Sequence, residues 1–223
     1  AALGETKVNF NAYDCVDITA RQPQRLNSWD EQTLIDEARF NATGAKEYSD
    51  EQLQWVSNPN FDYRPNISGQ DRWDYYDNTN WLQEGMNKYN PSQNYSLSVG
   101  SGTKKLNYLL SGSYYDRRGV LKYGPDDNHR YNLRLNINSE LNKYADLSLK
   151  TSYAGNFINQ NSYGETNIVE RLYRIRTRQS LYVPAEDVTG QIYNGDLQVN
   201  PVDIEKNAGI TTENYEIFNA QAA

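Results

Sequence analysis

A strict two-residue alternation of apolar and polar side chains is the feature that most constrains how this chain folds. It is clearest between Tyr131 and Asn138. One alternating set is Tyr131, Leu133, Leu135 and Ile137, and the other is Asn132, Arg134, Asn136 and Asn138. Because successive side chains of a strand point to opposite faces of a sheet, this period predicts a β-strand with one apolar and one polar face. The second set holds Asn and Arg, which suits a water-filled interior.

The same alternation recurs along the chain and predicts an all-β fold. It marks six segments, near residues 7–13, 93–100, 105–115, 130–138, 146–154 and 213–221. The last segment is the weakest case, with Tyr215, Ile217 and Asn219 as its alternating set. A tilted strand of about 9–11 residues crosses the core of a bilayer, and most of these segments approach that length. We therefore expect an antiparallel transmembrane β-barrel segment of about six strands.

The connections between these segments alternate in length, which is a second and independent pattern. Residues 14–92, 116–129 and 155–212 form long connections, whereas the chain turns briefly around Gly100–Thr103 and around Glu140–Ala145. Outer-membrane barrels have short turns on the periplasmic side and long loops outside. We therefore expect the three long connections to be external.

Short helices are expected within these external loops. Ser28 with Glu31, and Ser49 with Gln52, have the spacing of a capping box, which marks a helix start. The remaining helix signals are an apolar stripe at Leu34, Ile35 and Ala38, a stop at Gly44, a second stripe at Leu53 and Val56, and a stop at Pro59. A further helix is predicted from Ile168 to Arg178. Its arginines, Arg171, Arg174 and Arg178, would share one face, either as a solvated surface or as a site for acidic glycans.

Composition restricts the classes of partner and protein. The net charge of −7 argues against nucleic acid, because phosphate binding needs a basic surface. Only 37% of residues are hydrophobic, yet 19 are Tyr, which suits a membrane β-barrel with a polar interior or a secreted β-protein that binds carbohydrate. Cys15 is the single cysteine, so no internal disulfide is expected. The N-terminal residues do not resemble a signal peptide, so we expect any export signal to lie upstream.

The alternation assigns each side chain an expected environment. The lipid-facing set is Leu133, Leu135, Ile137, Leu147 and Leu149, and the lumen-facing set is Asn132, Arg134, Asn136 and Asn138. On the apolar face, Tyr114, Tyr131 and Tyr153 lie near strand ends, where amphipathic rings suit a membrane–water interface.

One loop segment mixes carboxylates with aromatic rings. Its candidate substrate- or partner-contact residues are Trp73, Asp74, Tyr75, Tyr76, Asp77 and Trp81. Such rings stack on the apolar faces of sugars while the polar groups bind hydroxyls. The alternatives are a calcium loop, although the Gly and terminal Glu of an EF-hand are missing, and an aromatic cluster that packs the loop. We predict no catalytic residues, metal or cofactor, because His129 is the single histidine and has no nucleophile grouped with it.

A series of short segments along the chain follows the pattern of a known family. In order, these segments are Lys7–Asn11, Thr79–Trp81, Asn94–Gly100, Asn107–Tyr108, Gly112–Leu121, Arg130–Asn136, Pro184, Gly190–Tyr193 and Asn200–Val202. They resemble the early barrel of SusC/RagA-type TonB-dependent outer-membrane transporters. The resemblance covers most of the chain, and residues 14–78 are its loosest part.

The resemblance implies a 22-stranded barrel with an N-terminal plug, powered by TonB and capped outside by a SusD-like lipoprotein. It implies active import of an oligosaccharide, or in some members a peptide, through the bacterial outer membrane and in contact with its lipid. The plug, the TonB box and some sixteen strands of the family pattern are not found in this sequence, so we expect a partial chain, with stand-in alanines at Ala1, Ala2, Ala222 and Ala223. The alternative is a secreted β-sandwich or propeller that binds or cleaves polysaccharide.

Overall fold

The computed structural model describes residues 4–19, 22–58, 63–182, 184–192 and 200–223. In chain order the elements are β1 (Lys7–Ile18), α1 (Ser28–Thr43), α2 (Asp50–Ser57), β2 (Tyr63–Pro65), β3 (Trp73–Tyr75), α3 (Trp81–Gly85), β4 (Tyr89–Gly102), β5 (Leu106–Arg118), β6 (Asp126–Asn142), β7 (Ala145–Asn161), α4 (Glu165–Arg174), α5 (Pro201–Asn207) and β8 (Ile210–Ala222). Tyr193, Pro59, Ala1 and Ala2, which the sequence singled out, lie outside the described residues.

Six long strands form one antiparallel sheet in the order β1-β4-β5-β6-β7-β8. This confirms the predicted fold class, an all-β chain with an antiparallel sheet of barrel-segment type and short helices in its connections. The sheet is open, with β1 and β8 at its edges. No second large sheet packs against it within the described ranges, so these residues do not form a β-sandwich.

The strands extend beyond the segments that alternation marks. The predicted connection 116–129 is reduced to residues 119–125, because β5 and β6 remain paired as far as Arg118 and Asp127. In this region the side chains are polar on both faces. Backbone pairing therefore extends beyond the residues in which apolar and polar side chains alternate. In the last strand, Phe218 lies opposite Tyr153 on the apolar face, so Ile217 and its alternating set lie on the other face.

Every longer connection leaves the sheet at the same end. Residues 19–88, 119–125 and 162–209 join strands there, and residues 103–105 and 143–144 make the tight turns at the opposite end. The three connections pack on one another around a shared apolar core. That core consists of Trp81, Leu82, Met86, Leu121, Ile168, Leu172, Val202 and Ile204. The three longer connections are therefore one packed structure, which we call the loop cap.

Helix α1 packs against the rest of the loop cap through its polar side, contrary to the expected apolar stripe. Ser28, Gln32 and Asp36 are buried, whereas Leu34 is 51% exposed. Asp36 accepts hydrogen bonds from the backbone N–H groups of Glu47 and Tyr48, and the Ser28 hydroxyl donates to the Asp77 carbonyl. These bonds to neighbouring loop backbone account for the burial of Ser28 and Asp36, whereas the Gln32 amide has no hydrogen-bond partner among the described residues.

The helix boundaries agree with the sequence at some positions and not at others. The capping box of Ser49 and Gln52 is present, and Gly44 ends α1 in the left-handed conformation with φ 73°. The first box was misplaced by one residue, because Asn27 caps α1 and Ser28 is its first helical residue. Within the described residues, no helix has both the length and the apolar character needed to cross a membrane.

Candidate functional site

The apolar face of the large sheet is the first candidate surface. Strand register places Leu133 and Leu135 in rows with Tyr153 and Thr151 of β7, and Ile137 opposite Leu149. Among the described residues much of this face is uncovered: Leu133 is 56% exposed and Phe10 of the same row is 63% exposed. Apolar surface of this extent is costly in water, at roughly 25 cal/mol for each Å² left exposed. An apolar environment on this side of the sheet would remove that cost.

The height of this apolar band can be read from β5. The eight residue steps from Leu106 to Tyr114, at roughly 3.4 Å each, measure about 27 Å along the strand. With a tilt of about 40°, typical of barrel strands, the band is about 21 Å tall, close to the roughly 25 Å band of outer-membrane barrels. The apolar face thus has the dimension of a bilayer core.

A row of tyrosines bounds the apolar band on the side of the loop cap. Tyr95, Tyr114 and Tyr131 lie opposite one another on β4, β5 and β6. The Tyr114 and Tyr131 ring centroids are 5.0 Å apart. Tyr153 was expected in the same group but lies one row deeper, opposite Leu133. Its hydroxyl nevertheless points toward this row, because a Cβ atom on Gly155 would lie only 2.8 Å from it.

His129 lies directly beyond the tyrosine row, in a polar cluster. Its Nδ1 is 2.8 Å from Asp116 Oδ1, and its Nε2 is 2.8 Å from Asp127 Oδ2. Because the two carboxylates meet opposite nitrogens of the ring, the three groups do not converge on one point. Within the described ranges no group of three such side chains could hold a metal ion. The cluster instead joins β5 to β6 at the outer end of the apolar face.

The opposite face of the sheet is lined by short polar side chains. Asn132, Arg134, Asn136 and Asn138 all lie on it, with Ser113, Ser111 and Ser152 as register partners. Asn132 Nδ2 donates to Ser113 Oγ at 3.2 Å, and Ser148 Oγ donates to Asn138 Oδ1 at 2.8 Å. Asn132 and Arg134, together with residues of β1, β4, β5 and β7, line a shallow trough of about 400 Å³. This face is built for contact with water and hydrogen-bonding solutes.

Three of the six candidate contact residues of the aromatic segment pack the loop cap instead. Trp81 is fully buried in its core, and Tyr75 and Tyr76 are also buried. The Trp81 indole N–H donates to the Arg176 carbonyl at 3.2 Å, and the Tyr76 ring lies edge-on to Trp55. None of these three rings has a free face on which a sugar could stack. The three rings fit the alternative prediction, which was an aromatic cluster that packs the loop.

The other three candidates are half-buried and also have internal partners. Trp73 donates its indole N–H to the Glu186 carbonyl at 2.7 Å. Asp74 accepts from Asn66 Nδ2 through both carboxylate oxygens, at 3.1 and 3.0 Å. Asp77 accepts from the N–H of Asn78 at 2.6 Å. These side chains hold the β2–β3 hairpin and its flanks in place, and their role in cargo or partner contact stays a prediction.

The predicted arginine face of the fourth helix is divided among three environments. Helix α4 ends at Arg174, so Arg178 lies outside it and donates to the Tyr75 carbonyl at 3.1 Å. Arg174 pairs with Glu170 Oε1 at 2.7 Å. The guanidinium of Arg171 lies over the Tyr163 ring, 5.0 Å from its centroid. The prediction of one continuous face was therefore wrong.

Glu205 is a buried carboxyl that sequence reasoning missed. It lies on α5 with no exposed surface, and its Oε2 accepts from the Tyr123 N–H at 3.2 Å. Burial raises its pKa from 4.5 to about 7, against the hydrogen bond from Tyr123 and the charge of Lys122, which lower it. The spacing of Pro201, Val202 and Glu205 would have revealed it, because a helical period places the glutamate on the apolar side.

Comparison with known proteins adds evidence at the level of the fold. No protein-family model matches the sequence, and no curated protein matches it. Among solved structures, a chain of the RagAB peptide importer in its "closed-closed" state has a similar fold, with a TM-score of 0.51 and 18% sequence identity. The similarity covers 85% of this chain and 22% of that chain. The shared feature is the fold.

Proposed function

We propose that this chain forms part of the wall and external loops of a TonB-dependent importer in the bacterial outer membrane. In this proposal, the barrel takes up an oligosaccharide or a peptide together with a SusD-like surface lipoprotein. The role is transport and not catalysis. The chain spans 22% of the RagAB importer chain that it resembles, so the proposal concerns a larger protein of which these residues would be one portion.

The observation that carries the proposal is the two-faced sheet. One face is uncovered, apolar for about 21 Å and bounded by a tyrosine row, while the other carries Ser, Asn and Arg. In a bilayer the apolar face would meet lipid and the tyrosines would lie at the interface, where amphipathic rings are favoured. The polar face would then line the path of the cargo.

The edges and the loops support the same proposal. Strands β1 and β8 each have one neighbour in the sheet. In lipid, unpaired backbone N–H and C=O groups cost several kcal/mol each, so both edges need further strands to close a barrel. The loop cap lies at the end of the sheet to which the longer connections belong. That end would be the outer surface, where a lipoprotein partner and the arriving cargo meet the barrel.

The test is a pair of substitutions at neighbouring residues of β6 in the full-length protein. Leu135→Arg would put a charge on the proposed lipid face, and Asn136→Arg would put the same charge on the proposed lumen face. A charge at the middle of the bilayer costs roughly 2–4 kcal/mol on the lipid face and little in a wet lumen. We expect Leu135→Arg to reduce the amount of heat-modifiable, folded protein in the outer membrane and Asn136→Arg to leave it unchanged. Equal assembly of both variants would refute the assignment of the faces.

A further inference from the structure

The polar face of the large sheet carries cations and no carboxylates in the rows of register partners that start between Lys7 and Tyr13 of β1. Followed across the six strands, these rows hold the charged side chains Lys7, Arg130, Arg134 and Lys150. They hold no Asp or Glu. The chain as a whole has 29 acidic residues against 22 Lys and Arg, so composition does not explain a face that carries cations alone.

Arg134 of β6 and Lys150 of β7 are neighbours on this face. Arg134 lies opposite Ser152, and Lys150 is the next residue of β7 on the same face. Such diagonal neighbours lie roughly 7–8 Å apart, within reach of long side chains. Both side chains are exposed, and within the described ranges neither forms an ion pair. Asp146, the carboxylate of β7 on this face, lies roughly 13 Å from Lys150 along the strand. Two like charges therefore repel each other with no acid between them.

Arg134 and Lys150 line one trough of about 570 Å³, which we call the Arg134 trough. Its other polar lining residues are Asn136, Ser152, Asn219 and Gln221. No carboxylate of the described residues lines this trough, or the trough of about 400 Å³ that adjoins it at Arg134 and Ser152. Amide and hydroxyl groups can donate to an anion, and the guanidinium fork fits a carboxylate through two parallel hydrogen bonds. The lining is thus complementary to an anion and to no cation.

We propose that the Arg134 trough binds a carboxylate group of solutes that pass along the polar face. The carboxylate lies between Arg134 and Lys150 and removes the repulsion between them. The inference rests on the proposed function in one respect: it treats the polar face as the path of the cargo. It adds the charge of that cargo, which is anionic. Carboxylate is the group that acidic peptides and acidic oligosaccharides have in common, so the experiment has an arm for each source.

The charge preference of the trough is measured with a Ser152→Cys thiol in the purified full-length protein, in which every native cysteine, Cys15 included, is replaced by serine. The probes are two methanethiosulfonate reagents, one with a sulfonate and one with a trimethylammonium group. Relative to a free thiol in solution, we expect the anionic reagent to be favoured at least about tenfold at low salt, and less at high salt. Arg134→Gln and Lys150→Gln should each reduce this preference, and together they should abolish it.

Lys143→Gln is the matched control, because it removes the same charge at the tight turn of residues 143–144, outside the trough, where Lys143 lies over the Tyr144 ring. It should leave the reagent preference unchanged. Heat-modifiable mobility of each variant shows that the barrel has assembled.

Protection of the same thiol identifies the source of the carboxylate. Triglutamate and trigalacturonate are the acidic probes, and triglutamine and the trigalacturonate methyl ester are their uncharged counterparts. We expect at least one acid to protect the thiol at a concentration at least about tenfold lower than its counterpart, the effect of losing a hydrogen bond to a charged group. The proposal is overturned by equal protection from the counterparts, by protection from neither acid, by a thiol that neither reagent reaches, or by a reagent preference that survives both substitutions. Failure of cells to take up any oligosaccharide or peptide through the protein would refute the proposed function and leave these rates standing.

Discussion

Glu205 places a titratable group at the junction of all three longer connections. Its carboxyl lies on α5, accepts from Tyr123 of the 119–125 connection and approaches Gly85 of α3, where a Cβ atom would lie 2.6 Å from Oε1. Within the described residues, Oε1 has no hydrogen-bond partner. Lys122 and Lys206 favour the ionised form and Asp126 opposes it, but burial outweighs them. The protonation of Glu205 should therefore affect the stability of the whole loop cap.

The sign of the effect follows from the direction of the pKa shift. The pKa is about 7 in the folded chain and has an ordinary value of 4.5, so the folded state holds its proton more tightly. The resulting stability is fully present below pH 4.5 and is lost as the pH rises through 7. One pKa unit corresponds to about 1.36 kcal/mol. Relative to low pH, the raised pKa therefore lowers the stability of the loop cap by about 3 kcal/mol at pH 8 and by about 1 kcal/mol at pH 5.

Glu205→Gln removes this pH dependence with little change of shape, because the amide oxygen can still accept from the Tyr123 N–H. We expect the variant to be more stable than the wild type by about 3 kcal/mol at pH 8 and by about 1 kcal/mol at pH 5. Hydrogen exchange of backbone amides, read by mass spectrometry on the full-length protein, measures the difference locally. Peptides from α3, α4 and α5 should exchange more slowly in the variant, by a larger factor at pH 8 than at pH 5.

Glu170→Gln serves as the matched control, since Glu170 is an exposed residue of the same loop cap and pairs with Arg174 at 2.7 Å. It should change the exchange of these peptides little at either pH. The reasoning would be refuted if Glu205→Gln exchanged as fast as the wild type at pH 8, or if its advantage were the same at both pH values. Either result would mean that Glu205 reaches water or an unseen partner when it ionises.

Two further predictions concern the loop cap and the topology. Gly85→Ala should destabilise the loop cap by roughly 1–3 kcal/mol despite the better helix propensity of alanine, because the new Cβ would lie 2.5 Å from Leu172 Cδ2. The measurement is amide exchange in α3 and α4, which should become faster, with a substitution at an exposed residue, Gln83→Ala, as control. Unchanged exchange would contradict the prediction. An epitope tag inserted after Gly44 should bind antibody on intact cells, whereas a tag at residues 143–144 should bind only after the outer membrane is broken; the reverse pattern would invert the proposed topology.

The sheet could be predicted from the sequence because its pattern depends on one local rule. Leu133 and Leu135 alternate with Asn132 and Arg134, and alternation alone assigns them to opposite faces. The strand ends could not be predicted, because residues such as Asp127 and Arg118 pair through their backbones whatever their side chains are. The sequence does not assign the faces of the last strand, because Phe218 and Ile217 are adjacent apolar residues, and one residue of register exchanges the two faces.

The loop cap was harder to predict, because its contacts are non-local. Trp81 looked like a candidate sugar contact, but Ile168 and Leu172 lie far along the chain and bury it. Helix α1 was expected to bury Leu34 and instead buries Asp36, whose carboxylate accepts the N–H groups of Glu47 and Tyr48. Sequence patterns report whether a residue is polar, and not which distant backbone groups need an acceptor.

The loop cap and the sheet are stabilised in opposite ways, and this difference indicates the surroundings that suit each of them. The loop cap has an apolar interior and a polar exterior, as expected of a structure surrounded by water. The sheet has no interior at all: Phe10, Leu133 and Phe218 share one uncovered row, and the hydrogen-bonding side chains lie on the other face. In water this sheet would expose its apolar face and two strand edges to aggregation. The same arrangement becomes stable if lipid covers the apolar face, further strands pair with β1 and β8, and water fills the space beside Asn132 and Arg134. The residues of the sheet therefore specify the surroundings in which it can exist, and under the proposed function those surroundings are the wall of a membrane barrel.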